Sequence, residues 1–118
     1  MGPHELVRQV VSCWSDRAGL DRMKACLSPE YVHHTPFGDL DFAGFRAGMA
    51  WVDTQFAARS YEVERVVVEG DLASGYLAWR ATRVADGSPV EGRGAYFCRI
   101  EGGLIAEDWD VFAVNGEI

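Results

Sequence analysis

Three carboxylates flank one tryptophan in the stretch EDWD, at positions 107–110 near the C-terminus. The stretch lies in an apolar run typical of a β-strand, where side chains alternate, so Asp108 and Asp110 share one face with Phe112. Two acids at this spacing lie about 6–7 Å apart at Cβ. On an enclosed face, burial and mutual repulsion raise the pKa of one of them, and such an acid is suited to act as a general base.

The same pattern also fits a solvated strand face on which the acids do no chemistry and Trp109 points to the core. Phe112 favours the enclosed face, since a fully solvated face seldom carries a phenylalanine beside two carboxylates. The sequence leaves this choice open, because a shift of one residue in strand register exchanges the two faces. Glu107 and Trp109 are assigned to the opposite face, in a structural role or at a dimer contact.

Two other kinds of side chain could move protons or stabilise charge. His33 and His34 are adjacent, so in extended chain they point apart, cannot readily bind one metal ion together, and at most one of them faces a pocket. On local evidence alone, a histidine that caps a turn near Pro36 is the favoured interpretation. Tyr96 could donate a hydrogen bond to a developing enolate oxygen, although a tyrosine in the core wall of a sheet is the more common case.

Composition and charge exclude several classes of function. The 118 residues carry a formal net charge of −7 and a pI of about 4.8 without any basic cluster, which argues against nucleic-acid and membrane surfaces. The three cysteines form no pairing or zinc motif, and no signal peptide or apolar span is evident, so we expect a cytoplasmic protein. Nucleotide-binding loops, hydrolase nucleophile motifs and zinc-protease motifs are missing.

The elements that must position these residues divide the chain into a helical half and a strand half. Apolar spacing predicts three helices, over 5–17, 20–27 and 42–56. Gly19 is expected to end the first helix and Asp21 to begin the second. The segment YVHHTPFGDLDF, before the third helix, is expected to be irregular. Four strands then follow, separated by turns that contain glycine, which predicts consecutive antiparallel hairpins.

Helices followed by a meander indicate an α+β fold in one domain over residues 1–118. A curved antiparallel sheet packed on three N-terminal helices would form a cone with an enclosed apolar pocket. The side chains expected to line such a pocket are Trp14, Phe37, Phe45, Met49, Trp79 and Phe112.

Three segments carry a resemblance to a known family. They read YVHHTPFGDLDFAGFRAGM, VVVEGDLASGYLAWRATRVADG and FCRIEGGLIAEDWDVFAV. Together they resemble the SnoaL-like polyketide cyclase family of the nuclear-transport-factor-2-like superfamily, over roughly Leu6 to Val114. The closing stretch from Gly102 to Asp110 is the most specific, since family members often read Asp/Asn-Gly-Lys-Ile-x-Glu-x-Trp-Asp there. The resemblance implies an α+β cone, an apolar pocket, a homodimer and no cofactor.

The resemblance also implies roles for individual residues. In SnoaL-like cyclases an aspartate on the last strand acts as general acid and base in an intramolecular aldol closure, and Asp110 best fits that role. Tyr96 stands where a histidine of the preceding strand often assists, and Asp108 stands where many related sequences have histidine. His34 matches a histidine that recurs in a related Tyr-Ile-x-His-Asn-Pro stretch and could supply the imidazole.

Three functional hypotheses follow. The leading one is a cofactor-independent enzyme that acts on a small hydrophobic, polyketide-like carbonyl compound by proton transfer, giving aldol cyclisation or isomerisation. The second is a hydrolase similar to limonene epoxide hydrolase, but the Arg-x-Asp expected on a central strand is not matched by the sequence that starts at Arg80. The third is a non-catalytic domain that binds a small apolar ligand or dimerises.

Overall fold

The computed structural model describes residues 1–114. The helices are α1 (Pro3–Ser12), α2 (Arg17–Met23) and α3 (Phe42–Gln55), with short 3₁₀ turns at Cys13–Ser15 and Lys24–Cys26. The strands are β1 (Leu27–Thr35), β2 (Gly38–Leu40), β3 (Phe56–Glu69), β4 (Leu72–Arg83), β5 (Pro89–Glu101) and β6 (Leu104–Val114). No helix within residues 1–114 is long and apolar enough to span a bilayer.

The first two helices differ in detail from the prediction. Asp16, rather than Asp21, caps α2, because its side chain accepts a hydrogen bond of 2.7 Å from the Gly19 N–H. Gly19 lies inside α2 instead of ending α1. A Cβ at that position would lie 2.4 Å from the Cys13 carbonyl oxygen, so this glycine permits the close approach of the preceding turn. The third helix is confirmed, and Asp41 caps it through the Gly44 N–H.

The segment expected to be irregular instead forms most of β1 and all of β2. The antiparallel β1–β2 hairpin pairs His33 with Leu40 and Thr35 with Gly38. Strand β1 also pairs in parallel with β6, where His33 lies opposite Asp108. The sequence pattern does not identify β1 as a strand, because tyrosine and histidine, rather than aliphatic residues, occupy two of its buried positions.

The predicted hairpins of β3 to β6 are confirmed, with positive φ at Gly70, Gly87, Gly102 and Gly103 in their turns. The six strands form one open sheet in the order β2-β1-β6-β5-β4-β3. The predicted α+β fold is therefore confirmed, with one correction. The sheet is mixed rather than wholly antiparallel, because β1 arrives from α2 in the same direction as β6.

The apolar core lies between the sheet and the first two helices. The buried side chains of α1 are Leu6, Val7, Val10 and Val11, and they pack with Leu77 and Ile105 of the sheet. Burying an aliphatic side chain of this size stabilises the fold by about 1.5–3 kcal/mol. This packing covers one end of the inner sheet face, whereas α3 lies over the other end and leaves a cavity there.

Candidate active site

Asp108 is a buried carboxylate at the inner face of the sheet, with 1% of its surface exposed. The Tyr31 hydroxyl donates to both carboxylate oxygens, at 2.8 Å from Oδ1 and 2.9 Å from Oδ2. The Tyr96 hydroxyl lies 2.8 Å from Oδ2, and His33 Nδ1 lies 2.7 Å from Oδ1. The carboxylate therefore accepts from three donors, with the single Tyr31 proton shared between its two oxygens, and little hydrogen-bonding capacity remains for a ligand.

Strand pairing explains why these side chains converge. In the parallel β1–β6 pair His33 lies opposite Asp108, and Tyr31 precedes His33 by two residues on the same face. In the antiparallel β5–β6 pair Tyr96 lies opposite Asp110, so its long side chain reaches Asp108 diagonally. Three adjacent strands thus each contribute to one buried polar cluster.

Asp110 lies two residues further along β6, on the same face but nearer to solvent. Its side chain is 26% exposed, and Oδ2 lies 3.8 Å from His33 Nε2. Burial raises the pKa of Asp110, and the charge of Asp108 raises it further, while His33 partly opposes the shift. The raised pKa expected for one member of the acid pair is therefore found at Asp110.

His33 lies between the two acids and is itself 7% exposed. Burial lowers its pKa, but the hydrogen bond to Asp108 and the charges of Asp108 and Asp110 raise it, and the net shift is upward. Because an ionised carboxylate can only accept hydrogen bonds, Nδ1 carries the proton shared with Asp108. Nε2 is left to face Asp110, and the Phe45 ring packs edge-on against the imidazole at 5.0 Å.

A cavity of about 560 Å³ lies above Asp110 and His33, between α3 and the sheet. Most of its wall is apolar, formed by residues such as Phe45, Met49, Phe56, Trp79 and Phe112. The cavity opens to solvent at a rim that includes Phe37, which is 99% exposed, and Trp51, which is 63% exposed. A volume of this size suits a small organic ligand.

This arrangement can perform general acid and base chemistry. An acid and an imidazole, both with a raised pKa, lie side by side at one wall of an apolar cavity. The pair could take a proton from a bound carbonyl compound and stabilise the negative charge that develops on its oxygen.

Comparison with known proteins agrees with this architecture. A family model described as a SnoaL-like domain matches residues 7–108. The chain belongs to the SnoaL-like family. No match was found among curated proteins.

Solved structures show the same fold at low sequence identity. AclR, a candidate hydroxylase from Streptomyces galilaeus, is 22% identical with a TM-score of 0.80, covering 93% of this chain and 87% of that chain. IdmH, a candidate polyketide cyclase from Streptomyces antibioticus, is 19% identical with a TM-score of 0.83, covering 95% and 92%. A hypothetical protein with a ketosteroid-isomerase-like fold from Catenulispora acidiphila, solved with trimethylamine, is 16% identical with a TM-score of 0.76, covering 94% and 86%.

In this SnoaL-like domain, the imidazole beside the acids belongs to His33 and not, as predicted, to His34. His34 lies on the outer face of the sheet, where its ring stacks on Trp109 at 4.7 Å. Its Nδ1 lies 2.8 Å from Asp39 Oδ1 and its Nε2 lies 2.9 Å from Glu107 Oε1. The alternation of side chains along β1 separates the two histidines, as the sequence implies, but the family motif pointed to the wrong one.

Tyr96 also lies elsewhere than the sequence suggested. Its side chain is fully buried, its hydroxyl is bonded to Asp108, and it does not line the cavity. It therefore cannot donate to an enolate oxygen in the cavity. Tyr31, which shares its role, was missed entirely, because β1 was not recognised as a strand.

The six residues expected to line the pocket are placed as follows. Phe37, Phe45, Met49, Trp79 and Phe112 contribute to the cavity wall. Trp14 lies behind that wall in the core, where its ring makes edge contacts with Tyr61, Tyr96 and Phe112. On the outer face, Glu107 accepts hydrogen bonds from Arg99 and His34, in agreement with its predicted position. Within residues 1–114, no group of three or more histidine, cysteine, aspartate or glutamate side chains is arranged so that it could hold a metal ion.

Proposed function

We propose that this SnoaL-like protein is a cofactor-independent enzyme that enolises a small hydrophobic carbonyl compound. The observation that supports the proposal is the separation of 3.8 Å between Asp110 Oδ2 and His33 Nε2 at the wall of an apolar cavity. A base and a hydrogen-bond donor at this spacing suit the α-hydrogen and the carbonyl oxygen of one substrate, because these two atoms are themselves a few bonds apart.

In the proposed first step, the Asp110 carboxylate accepts the proton on the carbon next to the carbonyl. His33 Nε2–H donates to the carbonyl oxygen, on which negative charge develops. Asp108 stabilises the imidazolium through Nδ1. The apolar wall strengthens both interactions, because it replaces water with a medium of lower dielectric constant.

The fate of the enolate determines the overall reaction. Return of the proton from Asp110 to a different carbon gives isomerisation. Attack of the enolate carbon on a second carbonyl of the same molecule forms a carbon–carbon bond, and the resulting alkoxide takes the proton from Asp110, which completes an aldol cyclisation. The similarity to IdmH favours a polyketide-like substrate and cyclisation.

An epoxide hydrolase is less well supported. Arg80, which begins the stretch compared with the Arg-x-Asp motif, lies on the outer face with its side chain 77% exposed. Among the described residues that line the cavity there is no arginine. A domain that only binds an apolar ligand would need neither the acid nor the imidazole at the cavity wall.

The proposal is tested by exchange of α-hydrogens for deuterium, followed by NMR. A set of apolar aryl ketones and 1,3-diketones is incubated in D₂O with the wild-type protein, with Asp110→Asn and with Asp39→Asn as a matched control on an exposed acid. We expect catalysed exchange by the wild type and by Asp39→Asn, and loss of about two orders of magnitude or more in Asp110→Asn. Equal exchange by wild type and Asp110→Asn, or binding of the ketones without any exchange, would contradict enolisation and support a binding domain.

A further inference from the structure

Two tyrosines converge on the carboxylate that holds His33. Tyr31 bridges both oxygens of Asp108, Tyr96 donates to Oδ2, and His33 Nδ1 shares Oδ1 with Tyr31. Both hydroxyls donate to this carboxylate, and the Tyr96 hydroxyl also interacts with the Cys98 thiol. If Asp108 only held the imidazole in place, its hydrogen bond to Nδ1 would be sufficient, and the two phenol donors would not be needed.

We propose that Tyr31 and Tyr96 are positioning residues of the active site, which act through Asp108 to set how strongly His33 holds its proton. The two hydroxyls compete with the imidazole for the same carboxylate charge. Each hydroxyl that donates to Asp108 weakens the pull of Asp108 on the Nδ1 proton. This role deepens the proposed function, because the hydrogen bond that His33 Nε2–H donates to the carbonyl oxygen depends on how strongly the imidazole holds its proton.

Burial keeps water from replacing either tyrosine hydroxyl as a donor to Asp108. Asp108 and Tyr96 are at most 1% exposed and Tyr31 is 6% exposed, so water has little access to replace a lost hydroxyl donor. The Tyr96 ring is held by an edge contact with Trp14 at 5.1 Å, which fixes the direction of its hydroxyl. Burial and the adjacent Asp108 raise the pKa of both phenols, so both remain neutral donors.

The other groups around His33 affect its protonation differently from the two tyrosines. From β6, Asp110 lies 3.8 Å from Nε2 and favours the charged imidazole. From β1, the positive charge that His34 can carry opposes it weakly. From α3, only the uncharged Phe45 ring packs against the imidazole. From β5, Cys98 lies near Asp108 and its thiol pKa is raised to about 12, so the thiol stays neutral.

The test is an NMR titration of His33 in the full chain, with the imidazole carbon and nitrogen resonances assigned by comparison with a His34→Gln variant. Tyr96→Phe and Tyr31→Phe each remove one hydroxyl and keep the ring. Tyr76→Phe is the matched control, because Tyr76 is 45% exposed and contacts Arg93 rather than the cluster. We expect each cluster variant to raise the titration midpoint of His33 by about 0.5–1 pH unit, and the control to leave it unchanged.

Several outcomes would decide the matter. A rise in the midpoint with either cluster variant supports the proposal, and Tyr31→Phe serves if Tyr96→Phe fails to fold. Lower thermal stability with an unchanged His33 midpoint would overturn it, since that result indicates a purely structural role. The readout is independent of turnover, so the proposed enolisation can fail while this inference stands. If enolisation is also observed, the alkaline limb of its pH profile should move upward together with the midpoint.

Discussion

Asp108 and Asp110 lie two residues apart on one strand face, yet the structure predicts opposite effects for the same substitution. Asp108→Asn should destabilise the fold strongly. Asp110→Asn should leave stability unchanged or slightly increased while it removes catalysis. The two variants have the same chemistry and nearly the same place in the sheet, so each is the control for the other.

The magnitude for Asp108 follows from its hydrogen bonds. The carboxylate accepts from two phenols and one imidazole, and hydrogen bonds to a charged group contribute about 1.5–3 kcal/mol each. An asparagine keeps one acceptor oxygen but presents an NH₂ group to a hydroxyl that then has no acceptor. One bond is lost and the others become neutral, whereas the relief from burying a charge offsets part of this loss. We expect a net decrease of about 2–4 kcal/mol in the free energy of unfolding.

At neutral pH, Asp110→Asn should change the free energy of unfolding in the opposite direction. Its pKa is raised in the folded state, so the folded chain prefers the protonated form. The corresponding stability is fully present below the unfolded pKa of about 4 and is lost as pH rises through the folded pKa. An asparagine is uncharged throughout and does not lose this contribution, so Asp110→Asn should gain stability relative to the wild type above that pKa.

Urea unfolding at neutral pH, followed by tryptophan fluorescence and circular dichroism, measures both effects. A stable Asp108→Asn, within about 0.5 kcal/mol of wild type, would show that the buried cluster contributes little to the fold. If Asp110→Asn proved the less stable of the two, the assignment of one anchored and one free acid would be refuted. A repeat of the Asp110→Asn comparison at about pH 3 provides a further check, because its advantage should disappear there.

Two further predictions concern the cavity wall and the outer face. A Cβ at Gly94 would lie 2.3 Å from the Phe112 ring, so Gly94→Ala should push that ring into the cavity and weaken binding of the apolar fluorophore anilinonaphthalene sulfonate several-fold; unchanged affinity would contradict this. His34 donates to Asp39 and Glu107 when protonated, and its pKa is raised, first by the Asp39 hydrogen bond, with burial opposing. The stability from these bridges is fully present below the unfolded pKa of about 6.5 and is lost as pH rises through the folded pKa. His34→Gln should therefore cost about 1 kcal/mol in urea unfolding at about pH 5.5 and less at about pH 9, and an equal cost at both values would refute the bridge.

The local sequence pattern was sufficient to predict the strands of the meander and to show which side chains of β6 share a face. The period of two along a strand placed Asp108, Asp110 and Phe112 together, and glycine turns defined the hairpins. The depth of each acid could not be predicted in this way. It depends on which helix covers which end of the sheet, and that is decided by long-range packing rather than by neighbouring residues.

The prediction that His34, rather than His33, supplies the imidazole beside the acids was wrong for a related reason. Which histidine faces the interior is fixed by the parallel pairing of β1 with β6, two segments separated by some seventy residues. Strand β1 carries Pro29 near its start and polar residues at buried positions, so neither alternation nor propensity identifies it. A family motif is then the only local guide, and here it selects the histidine on the outer face.

Burial alone would identify Asp108 as the catalytic acid, since it is the more buried of the two. Its hydrogen bonds argue the reverse. Every donor that surrounds Asp108 belongs to the protein, and a substrate would have to displace a buried phenol or the imidazole to reach it. Asp110 lies at the cavity wall, where its Oδ2 is 3.8 Å from His33 Nε2, so both groups can face one substrate in the cavity. In the proposed enolisation Asp108 therefore holds the imidazole in place, and Asp110 is the acid that accepts the proton.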